Sequence, residues 1–247
     1  MSTPSISSRQ AITFSIAIVI SALILAYAII HRNDPVRSIS VTGLGSQDFE
    51  SDLVVWEGRF TSQKIDLKSA YTELKAHKIL VEGYLESQNI ADTELVFSAV
   101  QTFKQTQSKY SNDGRYNGEE FVGYELSQTV TIRSKEVDKV ENVSRSITDL
   151  LNQGVQLFSN PPRYYYTKLA ELKLDMIAKA TADARSRAEQ IAIQSGGKLG
   201  KVMDAKMGIF QITGRLSNED YSWSGAFNTM DKDKSASITM RLKYTVK

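Results

Sequence analysis

Apolar and polar positions are distributed along this chain in two regimes. From Ala11 to Ile30 no residue is charged, and only Thr13, Ser15, Ser21 and Tyr27 interrupt the apolar run. At ~1.5 Å per residue a helix of that length spans ~30 Å, the thickness of a bilayer's hydrocarbon core. A helix buried in a soluble protein would carry polar residues along one side. The run therefore predicts one transmembrane helix at 11–30, preceded by a tail at 1–10 and followed by a linker at 31–37. A water-soluble body occupies 38–247. Ala26-Tyr27-Ala28 also fits the small-x-small pattern of a signal-peptidase site, so a cleaved signal is the alternative. Ile29 and Ile30 beyond that cut, and a run longer than a signal core, favour a retained anchor. Arg32 and Arg37 flank the far side, so the flanking charges do not place the N-terminus in the cytoplasm.

Past the apolar run the period shortens to two. Ala236, Ile238, Met240, Leu242, Tyr244 and Val246 alternate with polar residues through Ser235–Lys247. Val122, Tyr124, Leu126, Val130 and Ile132 do so in Glu120–Arg133, with Gln128 out of step. Val54, Trp56, Gly58 and Phe60 repeat the pattern in Asp52–Gln63. Such alternation predicts strands with one face on a core and one in water. Leu95, Phe97, Ala99 and Phe103 predict another strand across 94–105, and Ile39–Val41 a short first one.

Three segments carry a helical period. Leu67–Gln88 aligns Ala70, Tyr71, Leu74, Lys78, Val81 and Leu85. Val137–Leu151 aligns Val140, Val143, Ile147, Leu150 and Leu151. Lys168–Ser195 aligns Leu169, Leu172, Met176, Ala180, Ala184, Ala188 and Ile191, ending at Gly196-Gly197, a left-handed cap. The small alanines predict close packing of that helix on a sheet. In chain order the elements run ββ-α-ββ and then α-β-α-ββ. The fold class is α+β: two β-α-β-β-like modules with antiparallel-rich sheets and a long Ala-rich helix.

Composition narrows the function. The balance of 30 basic and 28 acidic side chains gives a net charge of +2, without the excess that nucleic acid requires. The absence of cysteine excludes disulfides, thiolate ligands and a cysteine nucleophile. The two histidines, His31 and His77, are too few and too far apart for a histidine metal site, and His77 is expected at a helix surface or boundary. Gly43-Leu44-Gly45 lacks the third glycine and the following helix of a dinucleotide loop. Gly196-Gly197-Lys198-Leu199-Gly200 follows a helix instead of preceding one, so its amides do not form an anion cradle. No Gly-x-Ser-x-Gly elbow occurs. Glu57, Glu119-Glu120 and Glu125 are candidate paired carboxylates, although charges on the wet face of a strand are the commoner situation. Tyr164-Tyr165-Tyr166 after Pro161-Pro162-Arg163 is a candidate interface loop. Asn142-Val143-Ser144 has sequon spacing inside a predicted helix. No catalytic, cofactor-binding or metal-ligating residue is assigned.

Ala182-Asp183-Ala184-Arg185-Ser186-Arg187-Ala188-Glu189-Gln190-Ile191-Ala192, followed by Gly196-Gly197-Lys198-Leu199-Gly200-Lys201-Val202, resembles the signature helix and turn of SIMPL-domain proteins. Ile39-Ser40-Val41-Thr42-Gly43-Leu44-Gly45, the closing alternating strand and the Pro-Tyr loop agree with it. The resemblance covers essentially all of 38–247. Asn89-Ile90 stands where the family often has Gly-Ile, which changes a cap. The resemblance implies two β-α-β-β-like modules and no agreed reaction. In bacterial relatives it implies an envelope location, periplasmic behind a signal or anchor in the inner membrane, with ring-like oligomers and stress tolerance in some. The expected role is therefore a non-catalytic envelope protein acting through self-assembly or an unidentified protein partner, without nucleic acid. An envelope enzyme with a dispersed carboxylate and tyrosine site is the alternative.

Overall fold

Trp56 and Phe60 lie fully buried while Glu57 and Arg59 between and beside them face water, so the alternation of Leu53–Lys64 is realised as a half-buried strand. The computed structural model describes residues 8–32, 37–220 and 222–247. Most of the expected tail and linker, 1–7 and 33–36, lies outside the described residues. The apolar run forms α1 (Ser8–Arg32), in which Ile12–Ile30 is long and apolar enough to cross a membrane and is buried nowhere.

The remaining elements are β1 (Ser38–Glu50), β2 (Leu53–Lys64), α2 (Leu67–Ser87), β3 (Leu95–Phe97), β4 (Gln101–Tyr110), β5 (Tyr116–Ser134), α3 (Val137–Ser146), β6 (Gln156–Ser159), β7 (Arg163–Tyr165), α4 (Leu169–Gln194), β8 (Leu199–Met207), β9 (Gln211–Gly214) and β10 (Asp233–Val246). The α+β class holds, with antiparallel pairing in both sheets. One sheet has the order β3-β5-β2-β6, with β4 also on β5 and β7 also on β2. The other has the order β1-β10-β8, with β9 on β10. Strands from the two ends of the body thus share one sheet.

The chain divides into two compact units. The larger comprises Gly43–Asp183 and Met207–Met240 and contains two cores. In the first, Val54, Trp56, Phe60, Leu126, Val130 and Ile132 meet Ala70, Leu74, Val81 and Leu85 of α2 and Val140 and Val143 of α3. Gly58 leaves room for the indole of Trp56, whose Nε1 donates to Ser159 Oγ at 3.0 Å. In the second, Leu172, Met176 and Ala180 of α4 meet Ile212, Ala236 and Ile238. The smaller unit comprises the described residues of Met1–Thr42, Ala184–Lys206 and Arg241–Lys247; it buries Val41, Ala184, Ala188, Ala192, Leu242 and Tyr244.

Several expectations change in detail. β1 is a full strand, not a short one, because Gly43 and Gly45 are strand residues: a Cβ at Gly45 would lie 2.4 Å from the Met176 carbonyl oxygen. The strand expected across 94–105 breaks at Ser98–Val100 into β3 and β4, and Phe103 is exposed. The buried stripe of α2 is Ala70, Leu74, His77, Val81 and Leu85, which turns Tyr71 outward and leaves Lys78 half-buried, its Nζ 4.8 Å from the centre of the Phe97 ring. The helix expected over Val137–Leu151 tightens into a 3-10 helix at Ile147–Gln153, exposing Leu151. On α4 the strict i, i+4 series ends at Ala192, so Ile191 is exposed. Asn89 stands in the left-handed region (φ 58°) and caps α2, with Ile90 N donating to Leu85 O at 3.1 Å.

Candidate interaction surfaces

One feature of the larger unit available to a partner is an arm built by β4 and β5. Ser111–Arg115 turns the chain, with Ser111 N donating to Arg115 O at 2.8 Å and Gly114 in the left-handed region. The Ser111 hydroxyl also donates to Asp113 and holds that carboxyl below the usual range. Two register shifts, between Gln105 and Thr106 and between Ser108 and Tyr110, place extra residues on β5 at Val122 and at Asn117-Gly118. β2 pairs with β5 only as far as Lys64 opposite Tyr124, so 106–121 is a two-stranded ribbon beyond the sheet. Such a ribbon has no core of its own. It exposes Tyr110, Tyr116 and Phe121, with Tyr110 against Tyr116 at 6.1 Å and Phe121 against Tyr124 at 5.1 Å, and Phe103 at its base on β4 is 47% exposed. Among the described residues no strand pairs with the outer edge of β4, which carries Lys104 and Lys109.

The outer edges of β1, β3, β6 and β8 likewise have no strand partner among the described residues, whereas those of β9 and β7 are closed. The outer side of β9 is covered where Ile212 N donates to Ala226 O at 2.8 Å and Asn228 N to Ile212 O at 2.9 Å. That of β7 is covered by Tyr164 N donating to Thr229 O at 2.8 Å. Ser235–Lys247, expected as a sheet edge, is instead the centre of its sheet between β1 and β8. Its continuous alternation suits a strand paired on both sides, and position in the chain did not predict position in the sheet.

The structure separates most of the flagged chemistry. Glu125 accepts from Gln105 Nε2 at 2.7 Å and pairs with Arg59 at 3.2 Å. Glu120 pairs with Lys109, and Glu119 accepts from Thr106. Glu57 stands apart from them in a groove beside β2. His77, expected at a helix surface or boundary, is buried at 8% exposure because it falls on the inner stripe of α2; its Nδ1 lies 3.1 Å from Thr61 O. The three tyrosines do not form a free loop. Tyr164 enters the first core, Tyr166 packs on Phe49 at 4.8 Å, and Tyr165 lines the groove. Burial raises the phenol pKa of Tyr164 above its ordinary value. Val143 and Ser144 of the sequon are packed into α3's inner side.

Lys234 is a buried cation that the predicted strand, begun one residue later, leaves out. It is 2% exposed, and its Nζ donates to Tyr164 O at 2.7 Å and Asn228 O at 2.5 Å. Burial lowers its pKa to about 8, opposed by the nearby Asp231 and Glu219 carboxylates. Asn228 is held by those same two carboxylates. The cluster ties 228–231 to β7.

The signature residues are structural joints. Asp183 Oδ2 accepts from Leu44 N at 2.8 Å, and Arg185 pairs with Glu189 one turn on. Ala184, Ala188 and Ala192 are fully buried. Gly196 is left-handed, and Gly197 N donates to Ala192 O at 2.9 Å, completing the cap. Ser195 and Lys198 have Ser-x-x-Lys spacing, but they straddle this turn, and Lys198 N donates to Lys247 O. Residues 39–246 match the family model SIMPL, described as a protein of unknown function (DUF541). No curated protein matches the chain.

Proposed function

The chain belongs to the SIMPL family, whose description names no reaction, and from that premise we propose a membrane-tethered, non-catalytic protein that acts by self-assembly. The observation that carries this reading is the β4–β5 arm: an unpaired strand edge beside exposed aromatic rings, projecting beyond its sheet. An open edge offers backbone donors and acceptors to a second chain, and aromatic residues are the type enriched at interfaces. Lys104 and Lys109 on the arm guard against indiscriminate pairing and give the contact a register. The apolar α1 supplies the tether, with the body in the periplasm of a bacterial envelope and a role in stress tolerance. A second protein partner would use the same arm.

The test is the oligomeric state of the full chain in mild detergent, measured by light scattering coupled to size exclusion. The expected result is an oligomer that Phe103→Lys with Phe121→Lys reduces to a monomer while the far-UV circular dichroism is unchanged. A monomeric wild-type chain refutes the proposal. A reporter fused after Lys247 that is active only in the cytoplasm refutes the orientation.

A further inference from the structure

A groove of about 660 Å³ lies on the water-facing side of the six-stranded sheet, lined by Leu53, Val55, Glu57, Arg133, Arg163 and Tyr165, with Asn160, Pro161 and Met230 completing it. Strand register gives it its chemistry. Val55 is opposite Arg133 on β5 and opposite Arg163 on β7, so the two arginines flank one valine in a single row. Directly opposed residues share a face, and Val54 and Trp56 take the buried face, so the row points outward. Two strand spacings of ~4.8 Å put the arginine backbones ~10 Å apart, and each side chain needs to span only half of that gap. Among the described residues neither guanidinium has a carboxylate within 4 Å. Glu57, one repeat along β2 from Val55, is in no ion pair among the described residues.

We propose that this groove binds a phosphate group that carries a neighbouring cation or hydrogen-bond donor. Two forks approaching from opposite sides suit phosphate, whose terminal oxygens spread tetrahedrally. A carboxylate presents one planar edge, which a single fork satisfies. Glu57 repels a second anion and accepts from an ammonium, so a zwitterion of the phosphoethanolamine type matches the charge order along β2. Leu53, Val55, Pro161 and Met230 supply apolar contact for whatever is attached to the phosphate. That chemistry occurs in a free metabolite and in a lipid headgroup.

Calorimetric titration of the full chain in detergent distinguishes the sources, with phosphoethanolamine, inorganic phosphate, ethanolamine and short-chain dihexanoyl phosphatidylethanolamine as probes. Saturable phosphoethanolamine binding is expected, weakened about tenfold or more by Arg133→Gln or Arg163→Gln, since each removes a charge-assisted fork. Glu57→Gln should weaken phosphoethanolamine and leave inorganic phosphate unchanged or tighter. Tighter binding of the dihexanoyl lipid than of phosphoethanolamine identifies a headgroup site, and equal binding a free ligand; both support the proposal. These side chains are exposed, so unchanged melting of the variants separates lost binding from lost folding. Absence of saturable phosphoethanolamine binding, or binding indifferent to both arginine substitutions, overturns it.

Discussion

Adding one methyl group at each of two glycines should move stability in opposite directions. Gly45 lies where β1 passes α4. A Cβ there would stand 2.4 Å from Met176 O, 3.1 Å from Ala180 N and 3.3 Å from Ala180 Cβ. Two of those atoms are backbone, so no rotamer relieves the clash, and ordinary contact requires the strand and helix to part by about 1 Å. A gap of that size forfeits up to about half of each affected dispersion contact along the seam. Overpacking of this kind costs about 1–3 kcal/mol. Gly83 lies within α2 with nothing within 4 Å of its added Cβ. Gly83→Ala should therefore gain about 0.5–1 kcal/mol from helix propensity alone. The assay is urea unfolding of the full chain in detergent, followed by far-UV circular dichroism. Fluorescence in a Trp223→Phe background adds a second probe, because Trp223 is 96% exposed and Trp56 is then the single buried reporter. At about 2 kcal/mol per molar urea, the two variants should bracket the wild type with midpoints roughly 1–2 M apart. A Gly45→Ala midpoint at or above wild type would show that α4 does not approach β1 this closely.

Three further outcomes are expected. Ala188→Leu, at a fully buried position of α4, should lose about 1–3 kcal/mol in the same unfolding assay, and an unchanged midpoint would mean that the alanine stripe is not packed. Lys234 titrates near 8 when folded and at its ordinary 10.5 when unfolded, so between those values only the unfolded chain holds the proton and stability from this group rises with pH. The wild-type urea midpoint should climb from about pH 8 to about pH 9.5, before phenol ionisation intervenes, and Lys234→Met should flatten the climb; parallel slopes would contradict the assignment. The chain should stay in carbonate-washed membranes with Ala11–Ile30 intact, whereas a mature N-terminus at Ile29 would leave a secreted, soluble protein.

What was legible in the sequence follows the range of the forces involved. Alternation in Val54–Phe60 and Ala236–Val246, and the alanine series of α4, are local records of one buried face, and these elements stand where the periodicity puts them. Gly43 and Gly45 point to a turn by residue type, yet both are strand residues, and Gly45 marks where a helix presses on that strand. His77 lies deeper than a surface or boundary position because Thr61 O partners its ring inside. Leu151 and Ile191 fell off their stripes because one helix tightened and the other kept a strict four-residue step. The arginine row was invisible for a different reason. Arg133 and Arg163 become neighbours only through their separate registers with Val55, and register between strands distant in sequence leaves no local trace.

The order β1-β10-β8 bears on how the chain is made. β1 is synthesised just after the apolar helix, but its partner β10 follows almost the whole body. The six-stranded sheet and its helices are complete by β7 and can close while β1 still waits. Pairing of such long sequence separation is slow, since loop closure precedes any reward from contact. During that interval β1 presents two bare edges beside a nascent membrane segment, a state open to chaperones and to misassociation alike. Loss of β10 would remove the middle of this sheet, not its rim, so a chain cut before Asp233 should retain the first core and shed the second.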